Sequence, residues 1–279
     1  MFKYPAKVLA EGKNFGIKLT KGPLPDLPPE ITTKVEQEWE RILTYDVTIP
    51  NTPLLLTTND DGNLTIEGNT LVLACGPSDR KHLRGTTHES VASIKGGEYI
   101  RRGVSMLSVT QTADNLAFMG VRKPAITYPL QRHHVAGRLE VDEGDPITGI
   151  YAEYLQEAGI HRNEVEIECI GIAADMVVKN FEFIFKGTTK LTGAELIARA
   201  LRAKSADEHI MFELFPYNAE YIRRNVLEPE PDGFPPTGFA GLAMALRHDF
   251  GPEAFPLWEP EATTYSAFMG RRGVMLKIK

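Results

Sequence analysis

Glu153 and Glu157, with Gln156 between them, are the side chains best spaced to do chemistry together. Separations of three and four residues put them on one face of a helix. The segment that carries them, GDPITGIYAEYLQEAGI (144–160), reads as a turn followed by a helix. Pro146 suits the first helical turn and Gly159 suits the exit. Ile150, Tyr154, Leu155 and Ala158 offer apolar positions for a core. Two carboxylates at i and i+4 are, by themselves, an ordinary solvated pair that repels by roughly a few tenths of a kcal/mol. A divalent cation changes their use. Mg2+ takes hard oxygen ligands and binds through one or two carboxylates together with substrate phosphates. A carboxylate cluster on a rigid helix could therefore hold Mg2+, or Mn2+ in its place, against a diphosphate and activate a water.

A second set of residues suits the phosphate side of such a reaction. The stretch GPSDRKHLRGTTHESV (76–91) reads as a loop carrying Arg80, Lys81 and Arg84 beside the hydroxyls of Thr86 and Thr87. Charge-assisted hydrogen bonds from these groups could hold phosphate oxygens; a solvated charged loop is the other reading. Arg138, next to Gly137, could also touch phosphate. Glu143, six residues after Gly137, is either an outer metal ligand or an exposed loop acid. His133 and His134 are adjacent, and neighbours on a strand point to opposite faces, so they are not expected to share one metal. No His-Glu-x-x-His, G-x-S-x-G or Walker-type sequence occurs.

These residues must be positioned by mixed elements. ITTKVEQEWERIL (31–43) reads as a helix that Thr33 could cap, with Val35, Trp39, Ile42 and Leu43 at helical spacing. TPLLLTT, NLTIEG and TLVLACG read as strands, the first two joined by a hairpin turn at Asn59-Asp60-Asp61-Gly62. VSMLSVT, NLAFMGV and AITYPL follow as strands, and after the 144–160 helix come VEIECIGIAAD and VVKNFEFIFKG. GAELIARALRAK (193–204) and TGFAGLAMALRHDF (237–250) read as helices, Gly251 ends the second, and the tail closes with VMLKIK, a candidate edge strand. Residues 1–30 are rich in turn formers. This order predicts an α/β (or α+β) fold with helices on a mixed sheet.

The segment 137–160 resembles the Nudix box, G-x5-E-x7-R-E-U-x-E-E-x-G-U with U aliphatic. Gly137 and Glu143 match it, and Glu153, Glu157, Gly159 and Ile160 match after a one-residue insertion. Ala152 stands at the Arg position, Gln156 at the first Glu of the late pair and Tyr154 at an aliphatic position. LACGPSDRKHLRGTT (73–87) resembles a G-x-T-x-Y-R-x-x-x-G-T-N type loop of the branch that hydrolyses UDP-glucose and UDP-galactose. Gly76, Ser78, Lys81, Gly85 and Thr86 fit or are close substitutes, while Arg80 replaces the Tyr and Thr87 the Asn.

The resemblance implies a Nudix α/β/α sandwich over 103–250, an N-terminal α/β extension over 1–102 contributing to the substrate pocket, and a tail over 251–279. It implies Mg2+-assisted attack of water on a nucleoside diphosphate sugar, giving a nucleoside monophosphate and a sugar 1-phosphate. Glu153 and Glu157 would ligate the metal, one also serving as base, with Gln156 and Glu143 as further ligands. Arg80, Lys81, Arg84, Thr86, Thr87 and Arg138 would bind substrate. Ala152 and Gln156 also fit a Nudix-fold binding or regulatory protein that has lost hydrolysis, and another diphosphate metabolite is a third reading.

Composition bounds the alternatives. A hydrophobic share of 42% over 279 residues is enough for a real core. The net charge of −6 argues against non-specific coating of nucleic acid, which needs a dense positive surface. The two cysteines, Cys75 and Cys169, sit in apolar runs and read as buried reduced thiols. No run approaches the roughly 20 apolar residues of a membrane span. A cytoplasmic protein with a small nucleotide-type substrate is expected; oligomeric state is open.

Overall fold

A computed structural model describes residues 2–45, 49–59, 63–124 and 127–271. It is an α/β protein built on a mixed sheet. The sheet is organised around the long buried strand Arg101–Gln111. One edge of that strand pairs parallel with Asn180–Thr189, which continues antiparallel to Val165–Asp175 and then to Ala6–Glu11. Its other edge is shared by three strands in succession. Pro53–Thr58 takes Arg101–Gly103, Val135–Arg138 takes Ser105–Ser108, and Leu116–Arg122 takes Thr110 and Gln111. The sheet therefore splays on this side, and the splayed edge is where the site lies.

A helix covers each face. On one face, Asp145 caps Pro146–Glu153 by accepting from the N–H groups of Ile147 and Thr148, the N-cap arrangement that satisfies first-turn donors. The helix runs on through a π turn, Tyr154–Ala158, and ends at Gly159 with φ +65°. Tyr154 anchors it: its buried hydroxyl hydrogen-bonds Ser108 Oγ at 2.7 Å and Thr110 Oγ1 at 2.9 Å. Gly187 makes room for this hydroxyl, because a Cβ there would overlap it. On the opposite face, Pro236–Phe250 is buried between the sheet and the tail. Its small residues permit close approach; a Cβ at Gly241 would press on Leu107. Trp258 fastens the tail by donating from Nε1 to the carbonyl of Ala6 at 2.7 Å.

Several sequence expectations are corrected. The stretch 76–91 is not a loop: strand Thr70–Asp79 runs straight into helix Arg80–Thr87, capped by Asp79 accepting from His82 N–H. Leu83 is the helix's one large buried apolar side chain, too little for a helical period to show. Packing holds it, with Gly85 lying against Val35 of helix Pro29–Tyr45. That longer helix begins at Pro29, which has no N–H to satisfy. Thr33 is inside it, its hydroxyl donating to the Pro29 carbonyl. The end of AITYPL is a turn, with Tyr128 and Leu130 both at φ +58°. The turn-rich first thirty residues hold strands Ala6–Glu11 and Gly16–Lys21, because 165–175 and 70–79 offer edges to pair with. His209–Pro216, absent from the sequence reading, is a strand beside Leu116–Arg122. Asp60, Asp61 and Gly62 of the expected hairpin and the VMLKIK tail lie outside the described residues. Cys75 and Cys169 are free and buried. Among the described residues, no helix is long and apolar enough to cross a membrane.

Candidate functional site

The box-like helix brings Glu153 and Glu157 to the splayed edge, against strand Val135–Arg138. Gly137 leaves the Glu153 carboxyl its place there, which a Cβ at 137 would displace. Glu157 is buried and its Oε2 accepts from Ala136 N–H at 3.1 Å. Burial pushes the Glu153 carboxyl up to about 8, helped by the negative charges of Glu143, Glu208 and Glu140. Burial and then the charge of Glu153 push Glu157 well above the usual carboxylate range. Two carboxyls in this condition resist ionising together unless a cation joins them.

A cationic group faces them. Arg84 and Arg138 are half-buried, and loss of water around their guanidiniums lowers both, Arg138 to about 9. Neighbouring guanidiniums add to this: Arg80 and Arg122 act on Arg84, and Arg84, Arg80 and Arg122 act on Arg138. Four guanidiniums from 80, 84, 122 and 138 thus share one field. Two of their nitrogens, Arg80 Nε and Arg138 Nε, are out of solvent without a hydrogen-bond partner. Arg84 Nη2 donates to Thr127 Oγ1 at 2.9 Å. Arg122 also attracts Glu157, so the cationic and anionic halves meet at that carboxylate.

Two cavities adjoin the arginines. A polar one of about 110 Å3 is lined by Arg122, Arg138, Gly137, His133 and Glu182 among others. A larger one of about 460 Å3 shares Arg138, Thr127 and Val178 with it and is walled by Ile42, Leu83, Tyr265 and Arg84. Helix Pro29–Tyr45 and the tail therefore both contribute to the second cavity.

The other sequence candidates are placed as follows. Lys81 pairs with Glu36 at 2.6 Å. Thr86 is buried, its hydroxyl donating to the His82 carbonyl and accepting from Arg101 N–H. Thr87 donates to the Leu83 carbonyl and lines the larger cavity. Glu143 Oε2 accepts from Glu140 N–H at 2.9 Å, folding back on its own loop. Gln156 is half-buried on the π turn and its backbone carbonyl accepts from Ser205 N–H. Arg122 and His209 were missed. Arg122 is the residue just past NLAFMGV, and the only signal for His209 was the β-prone run HIMFELF.

Two expectations follow from this geometry. Gly137→Ala displaces the Glu153 carboxyl and weakens divalent-cation binding about tenfold or more, by analogy with loss of a ligand-positioning group. Calorimetric titration with Mn2+ checks it, with circular dichroism showing the fold intact. The second concerns pH. Glu153 has a folded pKa of about 8 against an ordinary 4.5, so its contribution to stability is full below the lower value and is lost as pH rises through the higher. Metal-free protein should melt progressively lower between pH 4.5 and 8. Glu153→Gln should flatten that decline, raising stability at pH 8.5 by on the order of 1–2 kcal/mol. An equal pH slope in both proteins would count against the buried carboxyl.

No family model and no curated protein matches this chain. Solved structures do show partial likeness. A Nudix-family hydrolase from Clostridium perfringens is 12% identical, with 55% of this chain and 95% of that one covered and a TM-score of 0.33. A mutT/nudix family protein from Listeria innocua is 11% identical over 51% of this chain and 90% of its own, TM-score 0.37. A Nudix hydrolase from Nitrosomonas europaea is 15% identical over 58% and 77%, TM-score 0.33.

Proposed function

We propose that the protein is a Nudix-type, divalent-cation-dependent hydrolase of a diphosphate linkage in a nucleotide-like small molecule. The observation that carries this reading is geometric: Arg84, Arg122 and Arg138 line two adjoining cavities beside Gly137, against which the Glu153 carboxyl packs. Neither the cationic nor the anionic half is favourable alone. An anion of high charge density relieves the arginines, and a cation relieves the carboxylates. The donor set fits Mg2+ or Mn2+ at Glu153 and Glu157, whose carboxyl oxygens are hard ligands. The bound ion supplies charge neutralisation of the diphosphate and acidifies water.

The chain's own residues do the rest. Arg80, Arg84, Arg122 and Arg138 orient the diphosphate and stabilise charge that develops on its oxygens. Glu153, held against Gly137, can take the proton from the attacking water. Arg122 supplies positive charge beside Glu157, where the Nudix pattern has an Arg and this chain has Ala152. The organic part of the substrate fits the cavity of about 460 Å3, against Ile42, Leu83 and Tyr265. A nucleoside diphosphate sugar of the UDP-glucose kind is the substrate class we favour, with a nucleoside monophosphate and a sugar 1-phosphate as products.

Incubation with nucleoside diphosphate sugars, dinucleotides and other nucleotide diphosphates, with Mg2+ or Mn2+, tests this by 31P NMR. No phosphorylated product from any of them at high protein concentration would refute hydrolysis. Ala152 and Gln156 favour one second reading, a binder without turnover. It is distinguished by ligand-induced thermal stabilisation with no product.

A further inference from the structure

The carboxylate of Glu157 has neighbours that Mg2+ chemistry does not use. One donor atom each from His133, Glu157 and His209 lie within 4.8 Å of one another. The three come from three elements, and strand pairing explains their meeting. His133 is in register with Gly120, and His209 with Arg122, on opposite sides of strand Leu116–Arg122. Alternation along that strand sends positions 120 and 122 to one face, so both imidazoles arrive on it. Gly120 has no side chain to separate them; a Cβ there would overlap the His209 ring. Glu157 reaches the same place from the π turn, and its Oε2 is oriented by Ala136 N–H. Phe118, Val135 and Phe212 close the surrounding cleft.

Both Nδ1 atoms, of His133 and of His209, are out of solvent and without a hydrogen-bond partner. The Nδ1 of adjacent His134 is also unpartnered, but this ring points to the other side of the sheet, where its Nε2 meets the Gly238 carbonyl at 3.2 Å. Two buried imidazoles beside a buried carboxylate form the donor set of open three-ligand sites, such as the His2Glu set of catalytic zinc. Imidazole suits Zn2+, Fe2+ and Co2+, whereas Mg2+ takes oxygen donors. Bonds of about 2.0–2.1 Å put tetrahedral donors roughly 3.4 Å apart, so a small side-chain adjustment closes the set. The nearby charges are Glu153 and Glu208, which favour a cation, and Arg122 and Lys123, which oppose one.

We infer that His133, Glu157 and His209 form a three-ligand site for a divalent transition-metal ion of the zinc class. The site shares Glu157 with the proposed Mg2+ pair but is defined by the two imidazoles, so zinc binding is read by stoichiometry and ligand type, while the hydrolase reading is assayed separately with Mg2+ and product detection. The test of the site uses full-length protein stripped with chelator and loaded with Zn2+ or Co2+. The expected result is one Zn2+ per chain after desalting, visible d–d absorption on adding Co2+, and little competition from millimolar Mg2+. His133→Asn and His209→Asn should each weaken Zn2+ binding on the order of a hundredfold. No stoichiometric Zn2+, or both variants binding as tightly as the parent, overturns the site. X-ray absorption on zinc-loaded parent protein needs no variant: two imidazole ligands support the assignment, and fewer overturn it.

Discussion

Glu157→Gln is expected to lower turnover by on the order of a thousandfold while leaving the fold in place. The substitution keeps the shape of the side chain and an oxygen that can still accept from Ala136 N–H. What it removes is one negative charge, at the point where the carboxylate pair, Arg122 and the two imidazoles meet. In the folded chain that charge is unfavourable without a cation, because burial and Glu153 both act against it. The variant should therefore be at least as stable as the parent in chelator, and more stable at pH 8.5 than at pH 5 relative to it. Stability and activity then move in opposite directions. Turnover within tenfold of the parent, on whichever diphosphate proves to be the substrate, would remove Glu157 from the mechanism.

Arg138→Met should raise stability and abolish tight anion binding. Arg84, Arg80 and Arg122 act against the charge of Arg138 and Glu182 favours it, and the Arg138 Nε is unpartnered. Its pKa is pushed down to about 9 by burial first and by those arginines second. A base whose folded pKa is depressed costs stability wherever it is charged in the unfolded chain, here across the neutral range. Replacing a poorly compensated buried charge by an apolar side chain of similar length typically gains about 1–4 kcal/mol. At roughly 2–4 °C per kcal/mol for a domain of this size class, the melting temperature should rise by several degrees. Inorganic pyrophosphate should stabilise the parent clearly and the variant little. A destabilised Arg138→Met that still responds to pyrophosphate would contradict the anion-site assignment.

On the proposed reading, a chain of net charge −6 serves an anionic ligand through local rather than overall charge. Surface charge sets the long-range field, but the four half-buried arginines act at short range, where charge is screened less.

What could be read from the sequence was local. Pro146 and Gly159 act within one or two turns of their own helix, and the helix duly runs between them. Spacing put Glu153 and Glu157 on one face because helical geometry depends only on neighbours. Arg80, Arg84 and Arg138 could be nominated as cations, but their convergence could not. Helix Arg80–Thr87 has a single large buried apolar residue, and its docking through Gly85 depends on Val35, fifty residues away. Arg122 and His209 come from strands whose register is decided across the sheet. His209 meets His133 only because Gly120 lies between them without a side chain. Residue type and short spacing were thus enough to suggest a carboxylate-and-cation chemistry. The tertiary structure decided which cations share a field, which histidines meet, and how deeply each is buried, because those quantities arise from contacts between segments far apart in the chain.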